Sequence, residues 1–359
     1  GDQTTCLKTA GSATHGPEGS PEPWWQAGAM VRPGRVVAAV LGLVLLAPAT
    51  AEAARPDGLE VTGWILQSSP NRLVSRNADG MSTLSVAGVS IRADGAGVGT
   101  PTEDAERLLA AAHRHGLRAE LLLSNYSDRL GTFDRRALHR LLADPDHIAA
   151  VARRLARSVA GQGWDSVNVD LEGVRRGDGD GLVALVQELQ ARLPAEAAVS
   201  VDISAATSVR SYRDRGYRLA ALAEAADVVA VMTYDMHGST WSGPGPIGPL
   251  PWQRDALDAL LSVVPAEQVL LGVSGYGYTW PTERTGRSVT VRQARRLVER
   301  DGASAHWRRG LGEWTARLSN GTVLWWSDGR SYDARIDLAR EYGVRGLAVW
   351  RIGSADTLR

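Results

Sequence analysis

The run Trp164-Asp165-Ser166-Val167-Asn168-Val169-Asp170-Leu171-Glu172 alternates apolar side chains with polar and acidic ones. A strand sends successive side chains to opposite faces, so Val167, Val169 and Leu171 share one face and Asn168, Asp170 and Glu172 the other. The Cα atoms of Asp170 and Glu172 then lie roughly 6–7 Å apart along the strand. Two carboxyls this close, taken out of water, raise at least one pKa. A carboxyl kept protonated near neutrality is a general acid, and its ionised neighbour can stabilise positive charge. The competing reading is a strand with an ordinary solvated polar face. That reading weakens if the strand lies inside a parallel sheet, where neither face meets solvent.

Other residues could serve the same pocket. Asp202 alternates with Val201 and Ile203 and could face inward or make a structural hydrogen bond. His237, in a loop, could touch the site or be incidental. Trp241, Trp252 and Trp280 could offer flat aromatic platforms to a ligand or simply pack. No H-E-x-x-H run and no pair of cysteines has metal-ligand spacing, so no metal or other cofactor is expected.

The elements that would hold these residues follow a regular order. Apolar runs predict strands over Val61–Leu66, Thr83–Ser90, Arg118–Leu123, Ser166–Leu171, Val199–Ser204, Val228–Tyr234, Val269–Ser274 and Gly346–Trp350. Helical spacing predicts Thr102–His115, Pro145–Gly161, Gly181–Leu193, Leu219–Ala225, Gln253–Val263 and Tyr332–Tyr342 between them. Eight strands alternating with helices predict an α/β fold, a single (β/α)8 TIM barrel over residues 54–359. The alternative is a doubly wound open sheet, but no glycine-rich phosphate loop follows the first strand. The alternation breaks between Trp280 and Ser331, where Ser319-Asn320-Gly321 joins Thr315–Leu318 to Thr322–Trp326 as a tight hairpin. A small insertion at about 281–331 is therefore expected between the seventh and eighth strands.

Composition narrows the partners. Forty basic residues balance 40 acidic ones, so charge gives no reason to expect nucleic acid or an anionic membrane as partner. Met30 precedes Arg32, Arg35, an apolar run from Val36 to Leu46, and Ala51-Glu52-Ala53. This is the order of a signal peptide over residues 30–53, with 1–29 read as an overlong start or disordered leader. A secreted or cell-wall-associated protein without lasting membrane insertion is expected; a membrane anchor is the competing reading. The one cysteine, Cys6, lies upstream of that signal.

The Asp165–Glu172 run resembles the D-G-x-D-x-D-x-E signature of family 18 glycoside hydrolases, the chitinase family. Asp165, Asp170 and Glu172 match its first Asp, last Asp and Glu. Ser166 replaces the usual Gly and Asn168 the usual middle Asp. Met232-Thr233-Tyr234-Asp235 resembles the family's M-x-Y-D at the sixth strand, and Gly346-Leu347-Ala348-Val349-Trp350 its eighth strand ending in Trp. The resemblance covers about Val61 to Asp356. It looks closest to the spore-germination and cortex-lytic type, on the runs Gly243–Trp252, Gly275–Trp280 and Trp350–Gly353.

The resemblance implies a retaining, substrate-assisted cleavage of β-1,4-linked N-acetylglucosamine polymers, chitin or peptidoglycan. Glu172 would be the acid and base, Asp170 would orient the substrate's acetamido group, Tyr234 would bond its oxygen, and Asp235 would hold a distorted ring. Trp350 would floor the sugar. Asp165, Asn168, Met232 and Asp202 complete the expected substrate-binding set. Plain structural roles compete at several of these positions: barrel core for Tyr234, Trp350 and Met232, and a turn cap for Asp235. Asn168 cannot take up a proton as the usual Asp can, which predicts an altered pH dependence or rate. The alternative is a non-catalytic, sugar-binding relative; those usually lack the acid at the Glu172 position.

Overall fold

A computed structural model describes residues 58–359 apart from Arg284. The expected leader, signal peptide and Cys6 lie outside the described residues. Eight strands close into a parallel barrel: β1 (Glu60–Leu66), β2 (Thr83–Ser90), β3 (Arg118–Ser124), β4 (Ser166–Asp170), β5 (Ala198–Ser204), β6 (Val228–Met232), β7 (Val269–Ser274) and β8 (Gly346–Trp350). Each pairs with its neighbours in chain order, and β8 returns to β1 with Glu60 opposite Gly346. The fold is the expected (β/α)8 barrel. Two strands stop short of their expected ends, β4 at Asp170 and β6 at Met232. Beyond those points the chain leaves the ladder, which carries Glu172 and Tyr234 over the barrel mouth.

The helices form where apolar spacing and end signals agree. Pro145–Gln162 buries Ile148, Val151, Leu155 and Val159 on one face. Its Asp144 side chain caps the Asp146 amide, and Gly163 stops it in the left-handed conformation, at φ 83°. Each such aliphatic side chain contributes about 1.5–3 kcal/mol when fully buried. Glu103–Arg114 opens on the Thr102 cap with Glu103, Asp104 and Glu106 in its first turn, favourable against the helix dipole.

Four helices were not expected: Asn71–Asn77, Arg135–Leu142, Val209–Asp214 and Val291–Asp301. The first three span only two turns or so, too few for a periodic signal. Among the described residues, no helix is long and apolar enough to cross a membrane.

The main core lies between barrel and helices and takes the outward side chains of the strands, including Val167, Val169 and Leu171 of the β4 run. Inside the barrel a small apolar cluster of Trp64, Leu122, Val228, Ala230, Leu270 and Ala348 shares the space with polar groups.

Between β7 and β8 lies a five-stranded antiparallel sheet. Its order is Ser288–Thr290, Tyr276–Trp280, Val323–Trp326, Glu313–Arg317, Ala305–Arg308. The helix Val291–Asp301 packs on it through Val291, Ala294 and Val298. The sheet starts at Tyr276, ahead of the expected 281, because the chain turns straight from β7 into it at Gly275, whose amide bonds the Trp350 carbonyl. The turn at Ser319–Gly321 joins the strands Glu313–Arg317 and Val323–Trp326.

Candidate active site

The C-terminal ends of the strands open onto a cleft of about 1300 Å³. Asp170, Glu172, Asp202, Met232, Tyr234, Asp235 and Trp350 all line it. Four different strands or the loops that follow them supply this set, which is how barrels of this kind build their sites.

Two expected site residues are elsewhere. Asp165 precedes β4 at the opposite end of the barrel, about 16 Å along the strand from Asp170. Its Oδ2 accepts from the Ala119 amide at 2.7 Å and lies 2.8 Å from His113 Nε2. Its role is to pin the start of β4 to β3. Asn168 points into the barrel but is 1 % exposed and does not reach the cleft. Its Oδ1 accepts from Trp64 Nε1 at 3.0 Å and from Ser85 Oγ at 3.3 Å. Its Nδ2 donates to Ser200 Oγ and Asp202 Oδ1, both at 2.9 Å. Every polar valence is taken, so Asn168 is a strut beneath the site.

That strut continues downward. Ser200 Oγ donates to Glu120 Oε1 at 3.1 Å, and Glu120 is buried with its pKa raised by desolvation. Glu120 is a mid-strand acid in β3, and its inward orientation follows from the same alternation that exposed the β4 carboxylates.

The acid is held through its backbone. Asn125 Nδ2 donates to the Glu172 carbonyl at 2.9 Å, and Asn125 Oδ1 accepts from the Glu172 amide at 2.8 Å. Gly173 follows at φ 85°, a conformation that favours glycine, and lets the chain turn away immediately. Asn125 itself is buried. Nothing in its sequence surroundings distinguishes it from any polar residue at the end of a strand.

The electrostatics favour proton donation. Burial at the cleft floor pushes Glu172 up to about 8; the charges of Asp170 and Asp235 add to this and the Arg135 guanidinium opposes it. Burial also raises Asp170, to about 7. Asp202 is raised well above its ordinary value, first by burial and then by the charge of Asp170. Burial keeps the Tyr234 phenol neutral and hence a donor. Among the described residues, the side chains of Asp170, Glu172 and Tyr234 make no hydrogen bond or ion pair to another protein group, so their capacity faces the cleft.

The extra sheet reaches back to this site. Tyr276 and Tyr278 both donate to Asp235 Oδ1, at 2.5 and 2.9 Å. Asp235 has φ 59°, the one left-handed non-glycine among the described residues. The two phenols hold that conformation. Trp350 packs against Trp64 with ring centroids 6.0 Å apart, and the Trp350–Arg351 peptide is cis. Trp241 lines the cleft and is 55 % exposed. Trp280 is buried and donates to the Ser242 carbonyl, and Trp252 packs against the main core. His237 bonds the Pro246 carbonyl and is a loop strut.

The family model of glycosyl hydrolases family 18 matches residues 129–355, more than half of the chain. The chain is a family 18 glycosyl hydrolase.

The cortical fragment-lytic enzyme of Bacillus subtilis is 27 % identical over 247 residues, 64 % of this chain and 54 % of that protein. An uncharacterized glycosylase, YvbX, of the same organism is 23 % identical over 256 residues, 68 % of this chain and 74 % of that protein. The chain thus aligns with little more than half the length of the cortical enzyme. Among solved structures, the spore cortex-lytic enzyme SleL of Bacillus cereus superposes with a TM-score of 0.74 at 19 % identity, covering 82 % of this chain and 71 % of SleL. A chitinase from Chromobacterium violaceum gives 0.74 at 24 %, covering 83 % and 95 %. These likenesses establish the barrel. Family membership supports glycoside hydrolase activity, and the Asp170-x-Glu172, Tyr234-Asp235 and Trp350 positions that carry the resemblance line one cleft.

Proposed function

We propose that this hydrolase cleaves β-1,4-linked N-acetylglucosamine polymers with retention, using the substrate's own acetamido group as nucleophile. The observation that carries the reading is the pairing of a raised Glu172 with Asp170 at the floor of one cleft, both with uncommitted carboxyls. Protonated Glu172 gives its proton to the glycosidic oxygen as the C1–O bond breaks. The acetamido oxygen closes onto C1 and forms an oxazolinium ion. Ionised Asp170 accepts the acetamido N–H and stabilises the positive charge. Tyr234 donates to the acetamido oxygen, Asp235 holds the distorted ring, and Trp350 lies under the sugar. Water then attacks C1, Glu172 takes its proton, and the product keeps the β configuration.

Asn168 cannot share a proton with Asp170. Asp202 is a titratable neighbour: it accepts from Asn168 Nδ2, and its carboxyl is raised first by burial and then by the charge of Asp170. In this reading Asp202 supplies the protonatable neighbour that the family signature places at position 168. The enzyme acts outside the cell, on the strength of the basic, apolar and Ala-x-Ala order over residues 30–53.

The test is direct. The protein is incubated with chitin oligomers and with purified peptidoglycan, and the new reducing ends are identified by mass spectrometry, with early anomers read by NMR. N-acetylglucosamine ends appearing first as the β anomer are expected. An α anomer at early times refutes the mechanism, and sugar binding without cleavage of either polymer refutes the enzyme reading in favour of a lectin.

A further inference from the structure

Beside the cleft lies a second hollow of about 700 Å³. Glu172 and Phe133 line both, so the two are one continuous surface that meets at the acid. Four arginines line the second hollow: Arg129, Arg135, Arg136 and Arg140. The chain has no net charge, so four cations in one hollow are a local concentration.

Their surroundings leave the charge unspent. Asp134 is the other acid in the wall, and its Oδ1 is committed to the Arg136 and Ala137 amides at the helix start. Arg140 donates to the Ala93 carbonyl at 2.8 Å, which fixes its position without neutralising it. Arg129, Arg135 and Arg136 make no hydrogen bond or ion pair to an acidic side chain among the described residues. Arg129 sits in the turn between the two-residue strands Tyr126–Ser127 and Thr132–Phe133. The edge-on contact of Tyr126 with Phe133, 5.5 Å between centroids, braces that turn. Arg135 and Arg136 open the helix Arg135–Leu142, whose opposite face is buried through Ala137, Leu138, Leu141 and Leu142. The arginines are thus mounted on a packed element and face outward beside the acid.

We propose that this hollow binds carboxylates carried by the glycan itself, on the sugar next to the scissile bond. Planar guanidinium forks match carboxylates in a bidentate manner. A chitin chain has no charge to offer. A peptidoglycan strand carries an O3 lactyl group on alternate sugars: where no peptide is attached its carboxylate is free, and where a peptide is joined to it by an amide the carboxylates are those of the peptide. The hollow therefore selects the acidic glycan over the neutral one. This rests on the reading of the cleft as an N-acetylglucosamine-polymer hydrolase.

The test compares four tetrasaccharides: the chitin tetramer, a peptide-free lactyl-bearing tetramer, the same tetramer with its carboxylates converted to methylamides, and its peptide-bearing form. With the whole protein, kcat/KM is expected to be at least about tenfold higher for a carboxylated form than for the methylamide, the worth of one charge-assisted contact. R129Q/R136Q should bring that ratio close to one, and rising salt should shrink it in the wild type. Arg135 is left in place because it acts on the proton of Glu172. A preference already present with the lactyl group assigns the ligand to that carboxylate; one that needs the peptides assigns it to theirs. Equal rates on free and amidated forms, or a preference the double variant keeps, overturn the proposal. If no tetramer is cleaved, the hydrolase reading fails, and calorimetric binding of the same compounds judges the hollow alone: charge-dependent binding lost in R129Q/R136Q upholds it, and charge-independent binding overturns it.

Discussion

Two layers of the barrel interior, one inward step apart along β4, hold the same kinds of side chain and use them in opposite ways. In the lower layer Asn168, Ser200, Ser85, Trp64 and Glu120 bond one another and are sealed from solvent. In the upper layer Asp170, Glu172 and Tyr234 face a cleft with their side-chain bonding capacity unspent. The lower acid is desolvated and bonded within the layer, and the upper one is desolvated and available. A buried, satisfied polar network rigidifies a core, whereas an unsatisfied group costs free energy until a ligand completes it. Alternation along a strand tells which residues point inward. It does not tell which of them are left with something to do.

The comparison breaks most visibly at Glu172. Glu172→Gln should lower turnover by about 10³-fold, within the range attributed to general acids, while calorimetry still detects sugar binding. The same variant should be more stable to heat than the wild type at pH 7–8. A carboxyl whose folded pKa is raised to about 8 makes the native state bind more protons than the unfolded chain across the window from its unfolded value, about 4.3, up to 8. Wild-type stability therefore falls as pH rises through that window, and Gln escapes the loss. The gain in Tm should vanish near pH 4. A variant with wild-type turnover, or one less stable at every pH, would contradict the assignment of Glu172 to the open layer.

The lower layer should respond in the other currency. Asn168→Ala leaves Trp64 Nε1, Ser85, Ser200 and Asp202 each short of a partner, and should cost about 3 kcal/mol in denaturant unfolding, allowing for partial relaxation of the orphaned groups. Asn168→Asp should cost less stability, because one oxygen still accepts from Trp64 and Ser85 and the other, when protonated, can donate to Asp202 in place of Nδ2, while the pH dependence shifts because a titratable neighbour is restored to Asp170. If Asn168→Ala unfolds at wild-type denaturant concentration, the layer is not the strut described here.

All eight barrel strands were readable from the sequence, since each is a short apolar run between turn or helix signals and parallel strands are buried on both sides. The cleft residues Asp170, Glu172, Tyr234, Asp235 and Trp350 were readable because they lie at strand ends in a recognisable order. Asp165 and Asn168 were placed wrongly for a common reason. Both belong to the same signature, but a strand of five residues runs from one end of the barrel to the other, so residues close in the motif are far apart along the axis. Asn125 was invisible because its contribution is two bonds to the backbone of a residue 47 positions away. Tyr276 and Tyr278 stood in a noted run, but their target, Asp235, depends on the extra sheet folding back over the barrel mouth. Short helices such as Arg135–Leu142 were missed for lack of turns, and with them the arginines they carry.

The finest distinction between the layers lies in how the upper one is tuned from outside. Arg135 is exposed, and its positive charge holds Glu172 below where burial and its acidic neighbours would put it. Removing that charge favours the neutral acid, so Arg135→Gln should raise the Glu172 pKa. Activity requires the protonated form and is lost as pH rises through that value, so the alkaline limb of kcat/KM should move to higher pH, modestly given the exposure of the guanidinium. Arg135→Lys should leave the limb near its wild-type position. Because the interaction crosses solvent, raising the salt concentration should draw the wild-type limb towards that of Arg135→Gln. A limb that stays fixed in Arg135→Gln, or that moves to lower pH, would mean that the proton lost there belongs to a group other than Glu172.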